Sequence, residues 1–230
     1  MALSSSNKEF TMGKNGNRIL IVGGAGYIGT VLSEEFLREG YEVRSLDYFL
    51  YRNNECVLNF LGSLNYEFIY GDCTDSAFME RALDGVKFVI LLAGLVGDPI
   101  TKKYPEESRL INHIGVKSMF DACTKSDIER LIFVSTCSNY GLIESNETAR
   151  EDHPLNPLSL YAKSKVAIEE HILSQRGMVD CHPTILRFAT AFGLSPRMRF
   201  DLTISEFTRE LFLDRELLVY DSDSWRPYCH

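Results

Sequence analysis

Apolar residues along the chain fall into two alternating rhythms. Short dense runs, "RILIVG" (18–23), "YEVRSLD" (41–47), "YEFIYGD" (66–72), "VKFVILLAG" (86–94), "RLIFVS" (130–135) and "HPTILRF" (182–188), are rich in β-branched and aromatic residues. This is the pattern of buried strands. Between them, "YIGTVLSEEFLREG" (27–40), "SAFMERALDG" (76–85), "ESRLINHIGVKSMFDACTKS" (107–126) and "LYAKSKVAIEEHILSQRG" (160–177) repeat apolar positions every three to four residues, as one face of a helix does. Strand–helix alternation of this kind predicts an α/β domain with a parallel sheet and helices on both faces. The opening stretch, residues 1–17, is polar and is expected to be a disordered tail.

At 230 residues the chain accommodates one sizeable domain, or one domain and part of another. A net charge of −8 argues against general nucleic-acid binding, which needs a broad basic surface. An anionic small ligand would need local cations. The six cysteines (Cys56, Cys73, Cys123, Cys137, Cys181, Cys229) contain no Cys-x-x-Cys pair. They read as reduced thiols of a cytoplasmic protein rather than a metal site or disulfide framework. No apolar run approaches a membrane span, and the first residues lack the apolar core of a secretion signal.

Chemistry enters at the end of the first predicted strand. Gly23, Gly26 and Gly29 form Gly-x-x-Gly-x-x-Gly between strand and helix. Such glycines permit a tight turn, close approach of a pyrophosphate and close helix–strand packing. Tyr27, Ile28 and Gly29 open the helix, whose free N–H groups and positive end suit phosphates. The fold expected is therefore a Rossmann-type doubly wound sheet. Asp47 ends the second strand, 18 residues after Gly29. A carboxylate there accepts ribose hydroxyls and repels a 2′-phosphate, favouring NAD; the alternative is a solvated strand end. Asp72, followed by Cys73, ends the third strand. It either meets the adenine amine or caps the helix beginning near Asp75. Tyr161 and Lys165 stand four apart on a predicted helix and so share a face.

In order, the glycine loop, "LLAG" after the fourth strand, "STCSNYG" after the fifth and Tyr161-x-x-x-Lys165 resemble the extended short-chain dehydrogenase/reductases, the NAD-dependent epimerase/dehydratase family acting on nucleotide sugars. The resemblance covers residues 18–230. It implies NAD as cofactor, with Leu92, Ala93, Gly94 and Asn112 beside it. Tyr161 would take a hydroxyl proton while hydride passes to NAD⁺. Lys165 would lower the phenol's pKa and bind the nicotinamide ribose. Thr136 would hold the substrate oxygen, unless its hydroxyl serves the local backbone. Sugar-nucleotide dehydratases carry an Asp-Glu pair where this chain has Cys137 and Ser138, so dehydration is not expected. UDP-galactose 4-epimerases carry Lys at Val96 and Asn at Thr190; these departures argue against that substrate.

The segment "FGLSPRMRFDL" (192–202) resembles bacterial enzymes for surface-polysaccharide sugars. Thr190 is assigned to the substrate, and Arg197, Arg199 and Arg226 either clamp its diphosphate or are solvated surface residues. The resemblance divides the chain into an NAD-binding domain, 18–193, and the truncated beginning of a smaller substrate-binding domain, 194–230. It also implies a homodimer through a four-helix bundle built from "ESRLINHIGVKSMFDA" and "LYAKSKVAIEEHIL". The expected reaction is 4-epimerisation of a nucleotide sugar. A net 4-dehydrogenase and a non-catalytic NAD-binding module are the rivals.

Overall fold

The computed structural model describes residues 17–143, 147–220 and 222–230; the expected tail, Asn17 apart, lies outside them. Six strands form one all-parallel sheet in the order β3-β2-β1-β4-β5-β6. They are β1 (Arg18–Val22), β2 (Glu42–Asp47), β3 (Tyr66–Tyr70), β4 (Val86–Leu91), β5 (Arg130–Thr136) and β6 (His182–Phe188). The connecting helices are α1 (Tyr27–Arg38), α2 (Ser76–Ala82), α3 (Asp98–Lys103), α4 (Pro105–Arg109), α5 (Val116–Cys123) and α6 (Leu160–Ser174). This is the Rossmann-type doubly wound sheet expected from the alternation.

Alternating strand residues face opposite sides and make two cores. Leu20, Val22, Leu91 and Phe133 pack with Met79 of α2, Phe120 of α5 and Ile168 of α6. Ile19, Ile21, Val43 and Ile90 pack with Leu32 and Phe36 of α1 and with Phe60. Phe60 belongs to a 3-10 helical segment, Asn54–Phe60, that the apolar periodicity did not reveal. Nor did it reveal α7 (Thr203–Phe212) or the two-residue parallel pair β7 (Thr190–Ala191) and β8 (Tyr228–Cys229).

Two boundaries differ for clear reasons. The run 86–94 leaves the sheet after Leu91, because the N–H groups of Leu92 and Ala93 both donate to the Val22 carbonyl, at 2.9 and 2.8 Å. The chain therefore turns across the end of β1. The helix expected over 107–126 starts earlier, at Asp98, and is interrupted at Tyr104, which precedes Pro105 and is pushed out of helical geometry by it. A π-helical turn, Leu110–Gly115, joins α4 to α5. Within β2, Arg44 is buried; its Nη1 donates to the carbonyls of Ala82 and Asp84 at 2.6 and 2.8 Å. A cation thus sits at the negative end of α2.

α1 meets the sheet through small residues. Gly29, Thr30 and Ser33 are its buried positions, and Ser33 and Ser45 share a hydroxyl hydrogen bond of 3.1 Å. A methyl at Gly29 would come within 2.3 Å of the Gly23 carbonyl oxygen. Among the described residues no helix is long and apolar enough to cross a membrane.

Gly29→Ala is expected to lose about 1–3 kcal/mol of stability, read as a lower urea midpoint. Gly62→Ala, with no atom within 4 Å of the added carbon, should leave the midpoint unchanged.

Candidate active site

Strand order reverses between β1 and β4, and the crevice beyond their carboxyl ends is where such sheets bind ligands. A methyl at Gly23 would stand 2.8 Å from the Ala93 nitrogen, so the 92–95 segment lies directly on the glycine loop. Gly26 caps α1 without a side-chain bond, and the first turn holds no acidic residue. The N–H groups of Tyr27, Ile28 and Gly29 therefore present an uncapped positive helix end. That end, with its close-fitting glycines, suits a pyrophosphate. The Tyr27 hydroxyl turns away and donates to the Gly193 carbonyl at 2.7 Å.

Asp47 accepts the N–H of Ala25 at 3.1 Å and of Phe49 at 2.8 Å. Burial pushes its carboxyl pKa up, opposed by those N–H groups and by Arg197. Asp72 is exposed and accepts the Thr74 N–H at 2.8 Å. α2 is capped instead by Asp75, which accepts from Phe78 at 3.1 Å. Of the two expectations for Asp72, the helix-capping one belongs to Asp75. Burial drives the neighbouring Cys73 thiol up to about 12, so it is neutral. Asn112 accepts the Leu95 N–H at 2.7 Å and donates to the Leu95 carbonyl at 2.9 Å. Both ends of its amide hold the 92–95 segment, and Gly94 provides the space: a methyl there would be 2.9 Å from Asn112 Oδ1.

At the other end of the crevice, Thr136 closes β5, and its Oγ1 accepts the Ser138 N–H at 3.2 Å. The same side chain also hydrogen-bonds the neighbouring Cys137 sulfur. Tyr161 and Lys165 lie on the first turns of α6, which Ser159 caps through the Ala162 N–H at 3.1 Å. Lys165 is buried; its Nζ donates to the Val134 carbonyl at 2.8 Å and lies 4.6 Å from the Phe133 ring centre. Burial lowers the ammonium's pKa to about 8, with Glu169 opposing. Burial pushes the Tyr161 phenol up to about 12, and the cation that opposes the rise is Arg199. The Lys165 Nζ lies 5.8 Å from the Tyr161 ring centre. A desolvated ammonium seeks the nearest strong acceptor, and here that is a β5 carbonyl. One bond to Val134 still leaves two of its three protons.

The arginines divide. Arg199 pairs with Asp201, with Nε 3.1 Å from Oδ1, and its charge reaches Tyr161. Arg226 is exposed, and its charge reaches Cys137. Its neighbour Pro227 accepts the N–H of Thr190 at 3.1 Å, which ties β8 to the chain just after β6. Arg197 lies 4.6 Å above the Tyr51 ring on the β2 side; its charge and that of Arg199 both reach Tyr51, and its own also reaches Asp201.

Sequence reasoning missed the group beneath these residues. Glu169 is only 1% exposed. Its Oε1 accepts from Ser135 and from Asn139 Nδ2 (2.7 Å), and its Oε2 accepts Arg187 Nε (3.0 Å) and Nη2 (2.6 Å). Arg187 also donates to the Tyr140 hydroxyl at 3.1 Å and the Glu151 carbonyl at 3.0 Å. The available signal was Glu169 four residues beyond Lys165 on the same helix face, with a lone arginine in the apolar run "HPTILRF".

A doubly wound sheet with a glycine loop at one end of its crevice and a Thr–Tyr–Lys group at the other has the architecture of a short-chain-type oxidoreductase. The chain belongs to the NAD dependent epimerase/dehydratase family, whose sequence model matches residues 19–230. It is 28% identical to UDP-glucuronate 4-epimerase 2 of Arabidopsis thaliana over 218 residues, covering 90% of this chain and 49% of that protein. Among solved structures it resembles DesIV, a dTDP-glucose 4,6-dehydratase of Streptomyces venezuelae with NAD bound. There the TM-score is 0.83 and the identity 26%, over 93% of this chain and 68% of that one. It shares its fold with the UDP-glucuronic acid 4-epimerase of Bacillus cereus, seen with UDP-glucuronic acid and NAD. That TM-score is 0.81 and the identity 24%, over 92% and 68% of the two chains. The chain spans about half the length of the Arabidopsis relative.

Glu169→Gln leaves the Arg187 guanidinium without its counter-charge, and breaking a buried pair costs about 3–5 kcal/mol. Urea unfolding is expected to show a loss of that size. Lys165 is charged below about 8 and neutral above it. Dinucleotide affinity, followed by calorimetry from pH 6.5 to 9.5, is therefore expected to fall as the pH rises through that value. Lys165→Met should remove this limb.

Proposed function

We propose that this protein performs NAD-dependent hydride transfer at C4 of a nucleotide sugar, with 4-epimerisation as the net reaction. The observation that carries the reading is Tyr161 with the buried Lys165 ammonium 5.8 Å from its ring centre on the same helix and the charge of Arg199 reaching its phenol. NAD, when bound, supplies the hydride acceptor. The first-turn N–H groups of α1 hold its pyrophosphate, Asp47 accepts a ribose hydroxyl, and the 92–95 segment lines its path. Asp72 and Cys73 flank the adenine. The two remaining protons of Lys165 bind the nicotinamide ribose.

Tyr161 takes the proton of the sugar hydroxyl, and Thr136 keeps that oxygen aligned by donating to it. Bringing a phenol from about 12 to neutrality requires roughly 7 kcal/mol of preferential phenolate stabilisation. Substrate and cofactor bring new charge, Lys165 lies 5.8 Å from the ring centre, and the charge of Arg199 reaches the phenol. Thr190, Arg199 and Arg226 serve the nucleotide sugar and its diphosphate, with residues 194–230 in the substrate-binding region. Elimination of water lacks a carboxylate pair after Thr136, because Cys137 and Ser138 stand there. Burial also raises the Cys137 thiol's pKa, so it stays neutral. The similarity to a UDP-glucuronate 4-epimerase supports a UDP-linked uronic acid as the first substrate to try.

Tyr161→Phe keeps the ring and its packing but removes the proton carrier, a loss of typically ~10²–10⁴-fold. Single-turnover absorbance of reduced nicotinamide with UDP-glucuronate is the measurement. A variant retaining more than about a third of the rate would exclude Tyr161 as the base. Accumulation of reduced cofactor with release of a ketone product would instead favour net 4-dehydrogenation. We also propose a homodimer through α5, α6 and the turn before α5, where Leu110, Ile114 and Leu173 are exposed. Light scattering at tens of micromolar protein should give twice the chain mass; a monomer mass would refute it.

A further inference from the structure

The 193–197 segment is pinned to the cofactor half of the crevice at several independent points. Tyr27 donates its hydroxyl to Gly193. Ser195 Oγ donates to the Tyr27 carbonyl at 2.8 Å, and lies 3.1 Å from Thr30 Oγ1. It also accepts the Arg197 N–H at 3.2 Å. Cys56 donates its thiol to the Pro196 carbonyl at 3.4 Å. The strap therefore crosses the first turn of α1 and ends over the loop that follows β2. There the Arg197 guanidinium lies 4.6 Å above the Tyr51 ring, four residues beyond Asp47.

The loop beneath is held in an unusual shape. Phe49 and Arg52 have φ of 53° and 55°, a left-handed conformation that costs side-chain-bearing residues energy. The turn is closed by the Arg52 N–H on the Phe49 carbonyl at 2.8 Å. Strain on both sides of Leu50 and Tyr51 presents the tyrosine to the guanidinium. Tyr51 keeps 44% of its surface exposed, so this is a pair at the edge of the crevice rather than part of the core. Among the described residues, Arg197 is the cation whose field opposes the burial of the Asp47 carboxylate.

Resting on the dinucleotide reading above, we infer that Arg197, seated on Tyr51, is a cofactor-binding residue that closes over the adenosine ribose opposite Asp47. It is then no part of the substrate's diphosphate clamp. Ribose hydroxyls both donate and accept. Asp47 takes their protons, and the guanidinium of Arg197 donates to their oxygens from the other side. Arg197 thus serves the cofactor, while the neighbouring Arg199, whose charge reaches both Tyr51 and Tyr161, lies between the two ends.

The test is titration calorimetry with three probes on wild type, Arg197→Met and Tyr51→Leu. NAD and ADP-ribose report the adenosine half, and UDP reports the substrate's diphosphate. Arg197→Met is expected to weaken NAD and ADP-ribose by about tenfold each and to leave UDP within twofold. Tyr51→Leu removes the platform without touching the charge, and is expected to weaken ADP-ribose about threefold. It also decides the matter if Arg197→Met fails to fold. A loss confined to UDP, or unchanged ADP-ribose affinity in the variants, would overturn the inference alone. A wild-type protein that binds neither NAD nor ADP-ribose would overturn the dinucleotide reading, and the inference with it.

Discussion

The Glu169 carboxylate is the constraint on which the Thr136, Tyr161 and Lys165 end of the crevice is built. A charge with no access to water must be matched by donors, and an unmatched one costs several kcal/mol. Glu169 finds its donors in Ser135 of β5, Asn139 of the turn after it and Arg187 of β6. Parallel pairing places Ser135 directly opposite Arg187, so sheet register and ion pair specify each other. Sliding α6 by one residue would part Glu169 from its donors and leave Arg187 without its counter-charge. Lys165 and Tyr161 lie one and two turns before Glu169 on the same face, so their positions follow from this pair. Thr136 follows as well, being the residue after Ser135.

The cofactor end is organised by closeness rather than charge. Gly23, Gly24, Gly29, Ser33 and Ser45 let α1 and the 92–95 segment approach the end of β1 to distances that no larger side chain tolerates. The approach brings an uncapped helix terminus into the crevice and keeps it free of competing carboxylates. Asn112 then fixes the far wall by satisfying both polar groups of Leu95. The two ends are joined by the 193–199 strap, which is bonded to Tyr27 at one point and carries Arg199 toward Tyr161 at another. On a chain of net charge −8, Arg197, Arg199 and Arg226 give this crevice the local positive charge that an anionic ligand requires.

The sequence alone determined whatever depends on near neighbours. Alternation of apolar runs and helical stripes predicted all six sheet strands, because side-chain period is a local property of the backbone. Gly23, Gly26 and Gly29 announced a tight turn into a helix because few other residues fit one. The four-residue spacing of Tyr161 and Lys165 put them on one helix face before any fold was known. Only the tertiary structure decided which partner each polar group takes. Lys165 turns to the Val134 carbonyl, Asn112 to Leu95, Glu169 to Arg187, and Arg197 to Tyr51. These pairings span from 17 to more than 140 residues of chain. They depend on which donors and acceptors burial leaves unsatisfied once the sheet has closed, and no local pattern of residues encodes that balance.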